Sequence, residues 1–277
     1  MSAPTKDGLY GDISDAEYHR DRASLSSSGA RLLLPPSVPA KFKQRMDSPP
    51  KPKREYDFGH LAHKLVLGKG AEIVSVNAED WRGKAAREAR DEAHADGKTP
   101  ALTSEIVKAK RMAEEVFIHP VAGPLFDRGH AEVSLYHTNP ETGVRLRARP
   151  DWMTIRDGRL WLVDYKTAKS AESNQFGRAA VDYGYHQQAA WYIDAAIALK
   201  LADQPAFVFV VQEKEPPYLV SVVGFDAEAI TEGRRLNRRA IKLYADCIRD
   251  DHWPGYPNEI TPISLPLWAL EQEIVIA

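Results

Sequence analysis

Asp151, Asp164 and Lys166 are the residues of this chain whose types and spacing could do chemistry together. Asp164 and Lys166 stand two apart at the end of an apolar run, residues 160–166, that reads as a strand, so their side chains point to one face. Asp151 follows Pro150 in the run before it, and the turn Arg156-Asp157-Gly158 would fold the two runs together with the carboxylates facing across the ladder. Two carboxylates with open positions suit Mg²⁺, with Mn²⁺ able to substitute, because such ions take oxygen ligands and keep several waters. A metal held there polarises a phosphate and lowers the pKa of a bound water. A lysine beside it can position that water and stabilise charge developing on the phosphate. The chemistry this spells is phosphodiester hydrolysis. Arg145, Arg147 and Arg149 share the face of Asp151 at strand spacing and would make a phosphate track leading to it.

The elements that must position these residues can be read along the chain. Residues 1–54 look like an arm with short helices, ending in a stiff basic linker at 49–54. Within it, Ser14 and Glu17 have capping-box spacing, and the serines at 26–28 could cap the apolar run 30–34. A helix at 56–67 stops at Gly68 and Gly70, an exposed charged helix covers 79–97, and another runs from a Thr103/Ser104 cap towards His119. The period then changes. Residues 132–138, 144–155 and 160–166 alternate like strands and predict a three-strand antiparallel meander. The run 160–166 is apolar on both faces, as a central buried strand should be. A helix at 185–201, strands at 206–212 and 218–223, a helix at 227–249 and a proline-rich tail at 251–277 complete the reading. The fold class is α/β (α+β): a central sheet flanked by helices, with one main domain at 55–250.

Composition narrows the setting. The 277 residues are 43% hydrophobic and 27% charged, which is ordinary for a globular protein able to bury its own core. The single cysteine, Cys247, excludes a disulfide framework, a four-cysteine zinc site and a cysteine-held iron–sulfur cluster. A reduced, cytoplasmic home is expected, with no signal peptide and no membrane span. The formal net charge is −2, so a nucleic-acid partner would have to be met by a local basic cleft, not by the whole surface.

Pro150-Asp151, twelve residues, then Asp164-Tyr165-Lys166 resembles the motif of the PD-(D/E)XK nucleases, and Asp164-Tyr165-Lys166-Thr167 resembles the corresponding strand of the RecB type. Gly59 to His63 resembles that family's GxxxH element, which implies His63 as a further metal ligand; His60 is the alternative. Residues 185–192 resemble its QxxxY element, met by Gln188 and Tyr192, which are four apart and share a helix face. Gln187 is the alternative glutamine, but the residue four beyond it is Trp191. With Tyr18-His19, the serines after Leu25 and the helix after Phe58, the chain from about Tyr10 to about Tyr244 resembles the nuclease domain of RecE, exodeoxyribonuclease VIII, and its phage and prophage relatives.

That resemblance implies a PD-(D/E)XK core whose metal is held by His63, Asp151, Asp164 and the Tyr165 carbonyl. Lys166 would help activate water, while Gln188 and Tyr192 contact the phosphate backbone or orient Lys166. It adds Glu132, at the start of the meander, as a lesser candidate. It also implies a Mg²⁺-dependent 5′→3′ exonuclease acting on double-stranded DNA ends in a bacterial or phage-infected cell. Such enzymes are ring-shaped homo-oligomers that leave 3′ tails for a RecT-like annealing protein. An endonuclease with the same site, and a DNA-binding relative without activity, remain the alternatives.

Overall fold

The apolar run carrying Asp164 and Lys166 becomes the middle strand of the larger sheet, buried on both faces. In a computed structural model that describes residues 3–48 and 54–265, the chain begins with β1 (Gly8–Tyr10), α1 (Asp15–Arg20), β2 (Leu25–Ser26), α2 (Ser27–Leu32) and α3 (Pro39–Asp47). Next come α4 (Arg54–Leu67), β3 (Ile73–Val76), α5 (Lys84–Ala95), β4 (Thr99–Leu102), α6 (Thr103–Ile118) and α7 (Gly123–Phe126). Then follow β5 (His130–Ala131), β6 (Ser134–Thr138), β7 (Arg145–Ala148), β8 (Trp152–Arg156) and β9 (Arg159–Ala168). The chain continues through α8 (Ser173–Asp182), α9 (Tyr185–Ala198), β10 (Ala206–Glu213), β11 (Val220–Val223) and α10 (Ala227–Asp250). Most of the expected 49–54 linker and residues 266–277 of the expected tail lie outside the described residues.

The larger sheet has the order β11-β10-β9-β8-β5 and is mixed: β9 and β10 are parallel, the other pairings antiparallel. Alternation along β9 serves both faces. Val163 and Tyr165 pack with Val208 and Val210 beneath α4, α6 and α7, while Leu162 packs with Phe207 and Phe209 beneath α9. A second sheet, β1-β6-β7-β2, is built half from the N-terminal arm, with β1 antiparallel to β6 and β2 parallel to β7. The arm's helices start as their sequence suggests. Glu17 N donates to Ser14 Oγ and Ser14 N to the Glu17 carboxylate, and Gly29 N donates to Ser26 Oγ.

The structure departs from the expected meander at Pro150. Residues 144–155 do not form one strand: β7 pairs with β6 in the second sheet, and β8 pairs with β9 in the larger one. Proline has no amide to give a ladder, so a strand passing through it is interrupted there. The run at 132–138 is also shorter than expected. Glu132 takes φ +50° and donates its amide to Asp151 O at 3.0 Å, and β6 begins only at Ser134. Helix α8 and the short parallel pair β3–β4 were not anticipated. Among the described residues no helix is long and apolar enough to cross a membrane.

Two features of this packing have measurable consequences. Helix α10 crosses α9 so closely at Gly233 that an added Cβ would sit 2.3 Å from His186 O, whereas Gly177, exposed in α8, has nothing within 4 Å. Gly233→Ala should therefore lower stability by about 1–3 kcal/mol, and Gly177→Ala should raise it by about 0.5–1 kcal/mol; urea unfolding reads both. His137 on β6 is buried, and burial pushes its pKa down to about 4, with Asp7 opposing and Arg145 adding to the shift. The unfolded chain takes up this proton near pH 6.5 and the folded one only near 4. Stability is thus full above pH 6.5 and should fall by up to about 3 kcal/mol as pH drops to 4. In His137→Gln that part of the pH slope should vanish from unfolding curves collected across this range.

Candidate active site

Four elements converge on one point. The hairpin register Trp152↔Val163 brings Asp151, one residue before β8, opposite Asp164 on β9. Asp164 and Lys166 face α9, two residues apart on the strand. Helix α4 delivers His63, and α9 delivers Gln188 and Tyr192 one turn apart.

Asp164 is 1% exposed and fully engaged on its inner side. Lys166 Nζ pairs with its Oδ1, and Gln188 Nε2 donates to its Oδ2 at 2.5 Å. The same Gln188 amide lies 3.3 Å from the Tyr192 hydroxyl, so the Gln188–Tyr192 pair acts on the site through Asp164. Gln188 is the glutamine that reaches Asp164, while the Gln187 backbone carbonyl accepts from Asn237 Nδ2 at 2.9 Å. Asp151 Oδ2 accepts the Tyr165 amide at 2.7 Å and lies 3.6 Å from His63 Nδ1. Tyr165 thus threads between the carboxylates. Its ring lies 5.2 Å from that of His63, and its hydroxyl donates to the buried Gln212 Oε1 at 2.6 Å. His60 is exposed, and His63 is the histidine that reaches Asp151.

The electrostatics follow from burial and proximity. Burial, and next the facing Asp164 carboxylate, raise the Asp151 pKa well above the usual range, with Lys166 opposing. Burial works to discharge Lys166, but Asp164 and Asp151 outweigh it and hold the ammonium's pKa above its ordinary value. Burial, then the nearby Lys166 charge, push His63 down to about 4, so its ring is neutral at pH 7 and keeps a lone pair. Glu132, just off β5, borders the same space and adds to the rise at Asp151.

Two hard carboxylates and a neutral imidazole, gathered where burial penalises negative charge, are a donor set suited to a divalent cation. They are not drawn into a closed shell. Among the described residues no group of three or more His, Cys, Asp or Glu side chains is close enough to hold a metal ion. Asp151 is turned to the Tyr165 amide, and Asp164 to Lys166 and Gln188.

The arginine row is a correction. Arg145 is held by Asp7 and the Lys6 carbonyl, and Arg147 donates to Asp21 O, Ser24 O and Ser24 Oγ. Arg149 donates to Ser134 Oγ and Ile13 O, with its guanidinium 4.0 Å from the Tyr18 ring centre. Arg147 and Arg149 border the same cavity as Asp151, but both are buried, and most of their donors are taken by the arm and by Ser134 on β6. They fasten the arm to the second sheet and do not lie open as a phosphate track. Sequence reading missed what the arm brings in return. Arg31 on α2 is close enough for Asp164 and Tyr192 to act on its charge, and no local signal marks a residue whose partners lie over a hundred positions away.

All of this opens into a cavity of about 1480 Å³, bordered by the arm, α4 and the α8–α9 corner. The crystal structure of a protein described as "Putative exonuclease", from Eubacterium rectale, superposes with a TM-score of 0.57 at 10% identity, covering 95% of this chain and 99% of that one. The crystal structure of SSO0001 gives 0.31 at 13% identity, over 70% of this chain and 84% of that one. No curated protein matches the sequence. The family model described as "PDDEXK-like domain of unknown function (DUF3799)" matches residues 35–265, a span that holds His63, Asp151, Asp164, Lys166, Gln188 and Tyr192, and the chain belongs to that PDDEXK-like family.

Proposed function

We propose that this protein is a metal-dependent deoxyribonuclease that degrades double-stranded DNA from its ends, 5′→3′. The observation that carries the reading is the pairing of buried Asp164 with part-buried Lys166, backed by Gln188 and faced by Asp151, on the lining of a large cavity. An acid–lysine pair beside a second carboxylate has no structural need to face a cavity, and perturbed groups in such a place mark function more often than stability. Polarity, and the production of 3′ tails for a RecT-like annealing protein by a ring of subunits, come from the RecE-like resemblance and belong to the same proposal.

The residues take distinct parts. Mg²⁺ bound by Asp151 and Asp164, with His63 and the Tyr165 carbonyl as further ligands, would supply Lewis acidity at the phosphate and an acidified water. Lys166, kept charged by its two carboxylate neighbours, stabilises negative charge developing on the phosphate. Gln188 fixes the Asp164 carboxylate through one oxygen, and Tyr192 supports the Gln188 amide. His63, neutral at pH 7, offers nitrogen without adding charge.

The test uses linear DNA labelled at either end and covalently closed circular DNA, each with Mg²⁺ and with EDTA. Linear DNA alone should be consumed, only with the metal, and the 5′ label released first. Cutting of the circle would make the enzyme an endonuclease. Failure to touch either substrate with Mg²⁺ or Mn²⁺ would leave a DNA-binding protein without activity. Lys166→Ala and Asp164→Asn should each lower the rate by about 10²–10⁴-fold while circular dichroism shows a folded chain.

A further inference from the structure

The corner between α8 and α9 carries three aromatic rings in a row that the chemistry above does not use. Phe176 and Tyr185 stack with centroids 5.5 Å apart and planes at 23°, and Tyr185 and Tyr183 stack at 5.6 Å and 26°. The inner end is anchored, since Phe176 is buried and packs on Phe209 at the centre of the fold. The outer end is open: Tyr183 is 63% exposed. The row also stands beside the chemistry. Lys166 Nζ lies 5.7 Å from the Tyr185 ring centre, and Tyr183, Tyr185 and Lys166 border the same cavity.

The backbone at this corner is held in place. Gly184 takes φ +63° at the start of α9, where a Cβ would come within 2.7 Å of the Arg31 side chain. Arg31 in turn donates to the Tyr183 carbonyl at 2.5 Å. An exposed ring on a fixed backbone loses little freedom when something stacks on it. The cavity's size and walls say what that could be. About 1480 Å³ exceeds the about 300–1,000 Å³ that takes one drug-sized ligand, so more than one nucleotide fits. The wall of the same cavity also carries Arg20, Arg31, Arg45, Lys69 and Lys214, with Arg31 at the corner itself. Cations that follow a phosphate backbone, interleaved with rings that stack bases, are how proteins hold an unpaired strand.

We propose that Tyr183, supported by Tyr185 and Phe176, is a stacking platform for the base beside the scissile phosphate, and that the strand entering the site is unpaired. A base inside a duplex is already stacked on both faces, and at a blunt end only the outer face of the last base is free, so a frayed end gives the ring the fuller contact and a single strand is a competent substrate. This rests on the nuclease reading.

The test is binding of a single-stranded oligonucleotide carrying 2-aminopurine at successive positions from its 5′ end, in EDTA so that nothing is cut. With the wild-type chain, fluorescence should be quenched at one position. Tyr183→Ala should lose that quenching and bind about 5- to 150-fold more weakly, while Tyr183→Phe retains both. The substituted ring is exposed and its carbonyl still meets Arg31, and equal melting temperatures would confirm that the fold is intact. In the Mg²⁺ reaction the loss should appear in KM for DNA ends, and a frayed or single-stranded end should suffer as much as a blunt one. If Tyr183→Ala binds and quenches like the wild type in a protein that cuts DNA, the platform is overturned and the nuclease stands. If the wild type neither binds nor cuts, both fall.

Discussion

Everything at this site depends on a charge placed where the fold would otherwise exclude it: Asp164, 1% exposed in the middle strand of the larger sheet. A lone carboxylate there would carry a desolvation penalty of several kcal/mol. It is stabilised from two directions. Lys166, two residues on, brings the opposite charge along the strand, and Gln188 brings an amide from the helix above. Breaking one member of such a buried pair typically costs about 3–5 kcal/mol, so the packing of α9 on β9 and the geometry of the site are one problem. Ala189, Ala195 and Ala196 are buried in the core that α9 shares with the sheet and let the helix approach closely, which puts the Gln188 side chain within reach of the strand.

The second constraint is the attachment of the arm. Residues 8–10 and 25–26 add strands to a sheet that has only β6 and β7 of its own. Arg147 is buried against Asp21 and Ser24, so the arm is fastened by charge-assisted bonds as well as by backbone pairing. The arm forms one wall of the cavity and carries Arg31 to the α8–α9 corner. Chain remote in sequence from the carboxylates is therefore needed to enclose the space in front of them.

How much of this could be read from the sequence depended on how local each signal was. Asp151, Asp164 and Lys166 were legible because strand period and a tight turn determine their relative placement within sixteen residues. Gln188 and Tyr192 were legible because a helix places residues four apart on one face. The arginine row failed for the opposite reason. Spacing showed correctly that Arg145 and Arg147 share a face, but not that Asp7, Asp21 and Ser24 would occupy it from over a hundred residues away. Pro150 belonged to a motif and was read as one, while its more elementary effect, ending a ladder, moved β7 into another sheet. The pair β3–β4 went unseen because four-residue strands, one containing Pro100, carry almost no periodic signal.

The near-neutral total charge also takes on meaning once the fold is known. Many of the chain's cations are bound within the protein: Arg145, Arg147 and Arg149 by the arm, Lys108 by Glu215, Arg234 by Asp194. Among the described residues, those left to meet a polyanion are the cations of the cavity wall without a carboxylate partner, such as Arg31 and Lys214, where walls of low dielectric strengthen each charge relative to one on open surface. On the nuclease reading proposed above, a polyanion would be held chiefly at the cavity, which suits an enzyme that must release its product, because a uniformly basic surface would hold the product as firmly as the substrate.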